Sequence, residues 1–177
     1  MRKFTLVLRL CFAGLYTLHR FIWFIDYFQK NGDKIYIACS NSEELVEFCA
    51  KKGIVFLPVP VFRGINPFAD LYALINLLFF LRTHKIDLIV GHTPKGGMLA
   101  MIAGFLFGIK RRIYFRHGLM FETSRGLKRF TLIMFEKFTG LLASKIICVS
   151  KSLLINSIKF NLNSPYKNII INNFTTV

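Results

Sequence analysis

The sequence lacks an uncharged apolar run long enough to cross a bilayer as a helix. Its longest such runs, Leu71–Leu81 and Gly96–Ile109, hold 11 and 14 residues, whereas a spanning helix needs about 20. The longer apolar segment Leu10–Phe28 is interrupted by one histidine and two charged residues. The start of the chain also shows no clear small-residue cleavage site, so we expect a first β-strand there rather than a signal peptide.

Acidic residues are scarce, above all in the second half of the chain. The sequence has 24 Lys and Arg against 9 Asp and Glu, which gives a net charge of +15. After Asp87 the only acids are Glu122 and Glu136. Such a surface attracts phosphate, in nucleic acid, anionic lipid or a pyrophosphate ligand. No recognised nucleic-acid-binding motif accompanies the charge, so we expect no nucleic acid as partner. We expect instead an anionic membrane surface, with the chain attached peripherally to the inner face of the cell membrane.

Cysteines are few, and a dinucleotide fingerprint is missing. The four cysteines have no paired spacing of the kind that binds metal, so we expect reduced core cysteines, no metal and a cytoplasmic protein. The pattern G-x-G-x-x-G does not occur, which argues against a dinucleotide site. A hydrophobic content of 54% over 177 residues excludes disorder and suffices for one domain with a sizeable core.

Short β-rich apolar runs alternate with longer helical patterns along the chain. The predicted strands are Phe4–Leu10, Ile35–Ser40, Ile54–Pro58, Leu88–Gly91, Arg112–Arg116, Lys145–Val149 and Asn168–Ile171. The predicted helices are Thr17–Asn31, Ser42–Lys52, Pro67–His84, Gly97–Phe107, Gly126–Ala143 and Ser150–Phe160. This alternation predicts an α/β fold, a Rossmann-like parallel sheet of about seven strands with helices on both faces.

The most informative segment is the polar turn at 91–97, Gly-His-Thr-Pro-Lys-Gly-Gly, between a buried strand and an apolar helix. Ligands of parallel sheets bind at such turns, outside the carboxyl ends of the strands. Thr93 and Lys95 are candidates for binding a sugar hydroxyl or a phosphate. Gly96 and Gly97 are expected to let a ligand approach the backbone near the free N–H groups of a helix start. His92 fits a ligand or a buried strand-end histidine.

His117 is the candidate catalytic residue. It follows a predicted strand and precedes Gly118, so it is expected at the same sheet edge, next to the turn at 91–97. An imidazole there can hydrogen-bond a sugar hydroxyl or stabilise charge that develops in a transition state. The alternative is a histidine that only binds backbone at the strand end.

Five motifs in order resemble the N-terminal half of family 4 glycosyltransferases, in particular bacterial enzymes of capsule, O-antigen or exopolysaccharide assembly. The resemblance covers about Lys34 to Leu154. Its motifs are Arg63 to Leu71, His92 to Gly97, Phe115 to Leu119, the single Glu136, and Val149 to Leu153.

The resemblance implies one half of a GT-B fold, with residues 1–177 as the acceptor-side domain and a C-terminal donor-binding domain that this sequence does not contain. It implies a retaining sugar transfer from a nucleotide sugar, a substrate rather than a cofactor, to a lipid-linked or saccharide acceptor, without a bound metal. It places His117 at the reaction centre, and Gly14, Thr93, Lys95, Gly96, Gly97 and Gly118 among substrate-binding residues. As an isolated half, the chain is expected to be inactive.

Two other functions fit the sequence. One is a non-catalytic subunit that anchors to the inner face of the cell membrane and recruits a separate donor-binding chain. The other is half of a sugar-nucleotide epimerase, which shares the two-domain fold. Asn66-Pro67 is expected to start a helix, with Arg63 paired to Asp70, and Glu136 is expected to pair either within its own helix or with the rest of the fold.

Overall fold

The computed structural model describes residues 4–9, 22–59 and 66–171. Within these ranges, six α-helices connect the strands of one seven-stranded sheet. The strands are β1 Phe4–Arg9, β2 Lys34–Cys39, β3 Val55–Pro58, β4 Leu88–His92, β5 Arg111–Arg116, β6 Lys145–Cys148 and β7 Asn168–Ile170. The helices are α1 Ile22–Lys30, α2 Glu43–Lys51, α3 Pro67–Thr83, α4 Pro94–Leu106, α5 Gly126–Leu142 and α6 Lys151–Lys159, with short 3₁₀ helices at Met120–Thr123 and Pro165–Lys167.

The sheet order is β3-β2-β1-β4-β5-β6-β7, and every neighbouring pair is parallel. The chain therefore winds outward from β1 in one direction and from β4 in the other. In register, Arg9 of β1 lies beside His92 of β4, and His92 lies beside Phe115 of β5. The carboxyl ends of these three strands are thus level, and the order reverses between β1 and β4. This reversal creates the crevice in which parallel sheets bind ligands.

The structure confirms the predicted fold class and every predicted strand. The start expected for the first helix, at residues 17–21, lies outside the described part of the chain, and its described part begins at Ile22. One other helix start differs from the prediction. Helix α4 begins at Pro94, three residues before the expected start, because Thr93 caps it and proline is favourable at the first helical position.

Alternating side chains of the strands build two cores. On β2, Tyr36 and Ala38 join the core under α3, α4, α5 and α6, whereas Ile35 and Ile37 join the core under α1 and α2. Both faces of the sheet are covered, which explains the nearly continuous apolar strands of the sequence.

The predicted helix caps are confirmed. The Ser42 side chain accepts a hydrogen bond from the Leu45 N–H, and Asn66 Oδ1 accepts one from the Ala69 N–H at 3.1 Å. Gly32 and Gly53, with φ of 78° and 64°, follow the ends of α1 and α2.

The cysteines within the described ranges are Cys39, Cys49 and Cys148, and all three are free and buried. Desolvation, with a smaller effect of Cys39, raises the pKa of Cys49 to about 11, so this thiol is a poor nucleophile at neutral pH. Cys11 lies outside the described residues. No helix that the structure describes is both long enough and apolar enough to cross a membrane.

Candidate functional site at the carboxyl edge of the sheet

Thr93 holds a strained backbone where β4 meets α4. Its φ is 64° and its ψ is 155°, a region that glycine adopts easily and a β-branched residue rarely adopts. Such a conformation costs on the order of 1–3 kcal/mol, and it persists only where the surroundings enforce it. The Thr93 hydroxyl accepts a hydrogen bond from the Gly96 N–H at 3.4 Å. The strain lies beside the crevice between β1 and β4, where strained residues are typical of functional sites.

His92 and His117 form a pair at the same edge. His92 Nδ1 lies 3.1 Å from His117 Nε2, and both rings stack near Phe115. His92 is only 2% exposed, whereas His117 is exposed. Because a hydrogen bond between two imidazoles needs one donor and one acceptor, it requires at least one of the rings to be neutral. The contact therefore couples the buried histidine to the orientation of the exposed one.

Gly96 and Gly97 do not form the open approach to the backbone that the sequence predicts. Both residues are buried within the first turn of α4. The Gly96 N–H is bound by the Thr93 hydroxyl, and the Gly97 N–H donates to the Thr93 carbonyl at 2.7 Å. A Cβ added at Gly97 would lie 2.3 Å from Cε2 of Tyr114. Gly97 is therefore required by close packing of α4 on the sheet, a constraint that local sequence does not contain.

Gly118 behaves differently from Gly97. A Cβ added there would meet nothing within 4 Å, and its φ lies outside the left-handed region. Neither packing nor backbone conformation therefore demands glycine at position 118, and the space that its side chain would fill is open to a ligand.

Lys95 is held in an ion pair across two helices. Its Nζ lies 2.7 Å from Asp70 Oδ1, and the two side chains are 20% and 16% exposed. The expected partner of Asp70 was Arg63, which lies outside the described residues, so the structure supplies a partner that sequence analysis missed. A phosphate that reaches Lys95 meets a cation already neutralised in part.

A buried polar cluster anchors β5 just before His117. Arg116 is fully buried, and its Nε donates to Glu136 Oε2 at 3.0 Å. Tyr114, also fully buried, donates its hydroxyl hydrogen to Glu136 Oε1 at 3.0 Å. Arg116 Nη1 further donates to Ser157 Oγ and Asn163 Oδ1. This cluster joins β5 to α5 and α6, as a buried charge requires.

Burial dominates the electrostatics of the cluster. Desolvation raises the pKa of Glu136, and the Arg116 guanidinium opposes that shift. Desolvation, together with the neighbouring Glu136, raises the pKa of Tyr114 well above its usual value. The expectation that Glu136 pairs within the fold is confirmed. The sequence contained a signal for this pair. A buried arginine on a strand needs an acidic partner, and only two acidic residues follow Asp87 in the sequence.

An apolar groove, which sequence analysis missed, opens beside the histidine edge. Its volume is about 640 Å³, within the range of small-molecule sites. The starts of α4 and α5, the 3₁₀ helix and Asp70 of α3 line it. Its α5 wall runs from Leu127 to Thr139, with Lys128, Thr131, Leu132, Phe135 and Glu136 between them.

Gly14, the candidate in the loop after β1, lies outside the described residues, and its predicted role stays a prediction. The structure brings Thr93 and His117 to one edge, with Gly118 directly after His117. Lys95, Gly96 and Gly97 lie in the first turn of α4 beside them.

Comparison with known proteins decides the family. Residues 24–170 match the model of Glycosyltransferase Family 4. The chain belongs to this family. It is 32% identical over 143 residues to the capsular polysaccharide biosynthesis glycosyltransferase CapM of Staphylococcus aureus. The aligned residues are 81% of this chain and 37% of CapM.

A second relative is an Escherichia coli enzyme named UDP-Gal:alpha-D-GlcNAc-diphosphoundecaprenol alpha-1,3-galactosyltransferase. It is 28% identical over 116 residues, which are 65% of this chain and 30% of that enzyme. The chain thus spans about a third of the length of these curated relatives.

Solved structures share the fold. A glycosyltransferase from Rickettsia africae superposes with a TM-score of 0.74 at 15% identity, covering 97% of this chain and 43% of that one. A UDP-N-acetylglucosamine 2-epimerase superposes with a TM-score of 0.70 at 14% identity, covering 96% and 48%. At these identities the likeness shows the fold alone, and the family match separates the chain from the epimerase alternative.

Proposed function

We propose that this chain is the acceptor-binding half of a glycosyltransferase of surface polysaccharide synthesis. The whole enzyme moves a sugar from a nucleotide-sugar donor to a lipid-linked or saccharide acceptor. The observation that carries the proposal is the carboxyl edge of β4 and β5, where the strained Thr93 and the paired His92 and His117 lie together in a family 4 chain. The name of CapM supports a role in surface polysaccharide synthesis, and the name of the E. coli galactosyltransferase supports a lipid-linked acceptor.

In this proposal His117 has a chemical role in the reaction. Its ring is exposed beside the open space at Gly118, and the buried His92 fixes its Nε2. Its Nδ1 side then hydrogen-bonds a substrate hydroxyl, or stabilises the charge that develops as the sugar–phosphate bond breaks. Thr93 and Lys95 lie at the adjacent helix start, where they position the acceptor.

The donor nucleotide needs a second half. In this proposal the donor site lies in a further domain or a partner chain, because the matched region corresponds to about a third of each curated relative. Sugar transfer requires both substrates in reacting geometry, so the 177-residue chain alone has little transferase activity.

The test compares the chain alone with a chimaera that continues into the part of CapM beyond the matched region. Each protein is incubated with labelled nucleotide sugars and a bacterial lipid extract. We expect label transfer by the chimaera, loss of transfer in its His117→Ala variant, and none by the chain alone. Robust turnover by the isolated chain would overturn the two-half arrangement. A folded, donor-binding chimaera without transfer would favour the non-catalytic anchoring subunit.

We also propose that the outer side of α3 and α5 rests on an anionic membrane surface, on the cytoplasmic face of the cell membrane. This outer face carries large exposed apolar side chains on both helices: Phe68, Leu71, Tyr72 and Phe79 on α3, and Phe130, Met134, Phe138 and Leu141 on α5. The single acid of α5, Glu136, is buried, so the exposed charges of this helix are cationic. Apolar side chains with interspersed cations bind anionic lipid interfaces.

Membrane washing tests this attachment. High salt or alkaline carbonate should release the chain from membranes, because its binding is interfacial and electrostatic. Retention through both washes would contradict a peripheral attachment.

A further inference from the structure

We propose that the apolar groove along α5, which no comparison assigns, binds the hydrocarbon chain of a polyprenyl-type lipid diphosphate, with the diphosphate at the cationic start of α5. This inference rests on the proposed function, and it names the acceptor as lipid-linked rather than as a free saccharide.

The shape of the groove suits an extended chain. Its α5 wall uses positions 127, 128, 131, 132, 135, 136 and 139, which form one stripe along the helix. Twelve residue steps of helix span about 18 Å, so this wall is long enough to lie along an extended hydrocarbon chain. Met98 of α4, with Met120 and Phe121 of the 3₁₀ helix, complete apolar walls that a flexible hydrocarbon fits.

Apart from Lys128, the polar side chains that line the groove have partners within the protein. Glu136 is bound by Tyr114 and Arg116, and the carboxylate of Asp70 is paired with Lys95. The Thr131 and Thr139 hydroxyls donate to backbone carbonyls of their own helix. A sugar would find little to hydrogen-bond there, whereas a hydrocarbon loses nothing by entering.

The direction of the groove places a lipid head at the candidate site. Helix α5 starts three residues after the end of the 3₁₀ helix that follows His117, and it ends near the amino end of β5, where Arg112 Nε donates to the Leu142 carbonyl at 2.7 Å. The groove therefore leads away from the carboxyl edge. A tail lying along α5 leaves its head group where the starts of α4 and α5 line the groove, beside Lys95 and Lys128.

Charge complementarity selects a diphosphate head. Arg125, Lys128 and Arg129 cluster at the start of α5, and the first turn of this helix holds no acid. Cations at this end oppose the helix dipole, so a bound dianion relieves the repulsion. Lys128 itself lines the groove, which joins the cationic end to the apolar stripe.

The experiment measures binding of soluble isoprenoid diphosphates to the 177-residue chain by calorimetry, below their micelle concentrations. We expect geranylgeranyl diphosphate to bind at least about tenfold more tightly than geranyl diphosphate, because more hydrocarbon is buried. Inorganic diphosphate and geranylgeraniol should each bind at least about tenfold more weakly than the complete molecule. Equal affinities for the two isoprenoid diphosphates, or binding of inorganic diphosphate as tight as that of the lipid, would overturn the proposal.

Matched variants on α5 locate the site. Phe135 lines the groove, and Phe138, of similar exposure, lies on the outer face. Phe135→Ser should weaken geranylgeranyl diphosphate binding about tenfold, and Phe138→Ser should leave it unchanged. Lys128→Gln should weaken it, and Lys137→Gln, on the same helix outside the groove, should not. Equal loss in the Phe135 and Phe138 variants would indicate adsorption to the outer face and would overturn the groove.

A folding defect in Phe135→Ser would imitate a loss of binding, so Thr131→Trp provides an independent reading. Thr131 is half-exposed and lines the groove, and an indole there fills the space without removing a wall. The variant should keep its circular dichroism and lose lipid binding. A folded Thr131→Trp chain that binds like the wild type would refute the proposal.

Failure of this inference and failure of the proposed function give different results. If the chimaera transfers sugar to a saccharide and the chain does not bind isoprenoid diphosphates, the lipid site in the groove is refuted and the transferase function stands. If the chain binds isoprenoid diphosphates in a length-dependent way but the chimaera is inactive, the lipid site in the groove stands and the transferase function is refuted.

Discussion

Gly97→Ala should destabilise the fold by about 3 kcal/mol, because the first turn of α4 lies directly against Tyr114. The added Cβ would lie 2.3 Å and 2.5 Å from two ring carbons of Tyr114, more than 1 Å inside ordinary contact distance. The ring is fully buried, and its hydroxyl binds Glu136. It cannot move aside without breaking that hydrogen bond.

The magnitude follows from three opposing contributions. Overpacking a core site costs about 1–3 kcal/mol, and weakening a buried hydrogen bond costs about 1–3 kcal/mol. Alanine regains about 1 kcal/mol over glycine within a helix. The net loss of about 3 kcal/mol corresponds to a fall of about 6–12 °C in the thermal midpoint of a domain of this size.

The assay is thermal unfolding of four variants next to the wild type: Gly97→Ala, Gly118→Ala, Tyr114→Leu and the double variant Gly97→Ala/Tyr114→Leu. Gly118→Ala is the control, since its Cβ meets open space, and its midpoint should shift by less than about 2 °C. The Gly97→Ala cost should shrink in a Tyr114→Leu background, where the ring is gone, so the two changes should be strongly coupled. An unchanged midpoint for Gly97→Ala, or an equal cost in both backgrounds, would refute the packing argument and return Gly97 to a role in ligand approach.

Three further predictions concern the site and its anchor. His117→Ala in a completed enzyme should lower turnover about 10²–10³-fold and move the thermal midpoint little, since the ring is exposed; a lower midpoint with normal turnover would make His117 structural. Thr93→Gly should be more stable than Thr93→Ala by about 1 kcal/mol, because both lose the capping hydroxyl but only glycine accepts a φ of 64° without strain; equal unfolding free energies would remove the strain. Burial raises the pKa of Glu136 above its ordinary 4.5, so its contribution to stability falls as pH rises from there through the raised value; Glu136→Gln should remove this slope from midpoints measured between acid and neutral pH, and an unchanged slope would contradict the shift.

Local signals in the sequence sufficed for the elements and for the edge at which they meet. Ser42 and Asn66 cap their helices as their side-chain chemistry predicts. The alternation of apolar strands and helices predicted the parallel sheet, and the position of His117 after a strand predicted its place at the carboxyl edge. These features depend on residues within one turn or one strand of each other.

Contacts between distant segments could not be read in the same way. The Lys95–Asp70 pair and the His92–His117 contact each join residues 25 positions apart, so they depend on how α3, α4 and β5 are brought together. The turn after β4 was predicted to be longer because its glycines were interpreted as turn residues, whereas Gly97 serves helix–sheet packing. The groove depends on three helices at once, and no periodicity within a single segment encodes it.

The buried Arg116–Glu136 pair links the scaffold to both parts of the candidate site. Arg116 is the last residue of β5, and His117 directly follows it, so the hydrogen bonds that hold the guanidinium also fix where the exposed histidine leaves the sheet. Glu136, which binds that guanidinium, lines the groove along α5. A fully buried charge is costly unless it is satisfied, and this cost holds α5 against β5 in one arrangement. The histidine edge and the groove therefore keep a fixed relation to each other, as reacting groups and a bound acceptor require if the proposed lipid site is to serve sugar transfer.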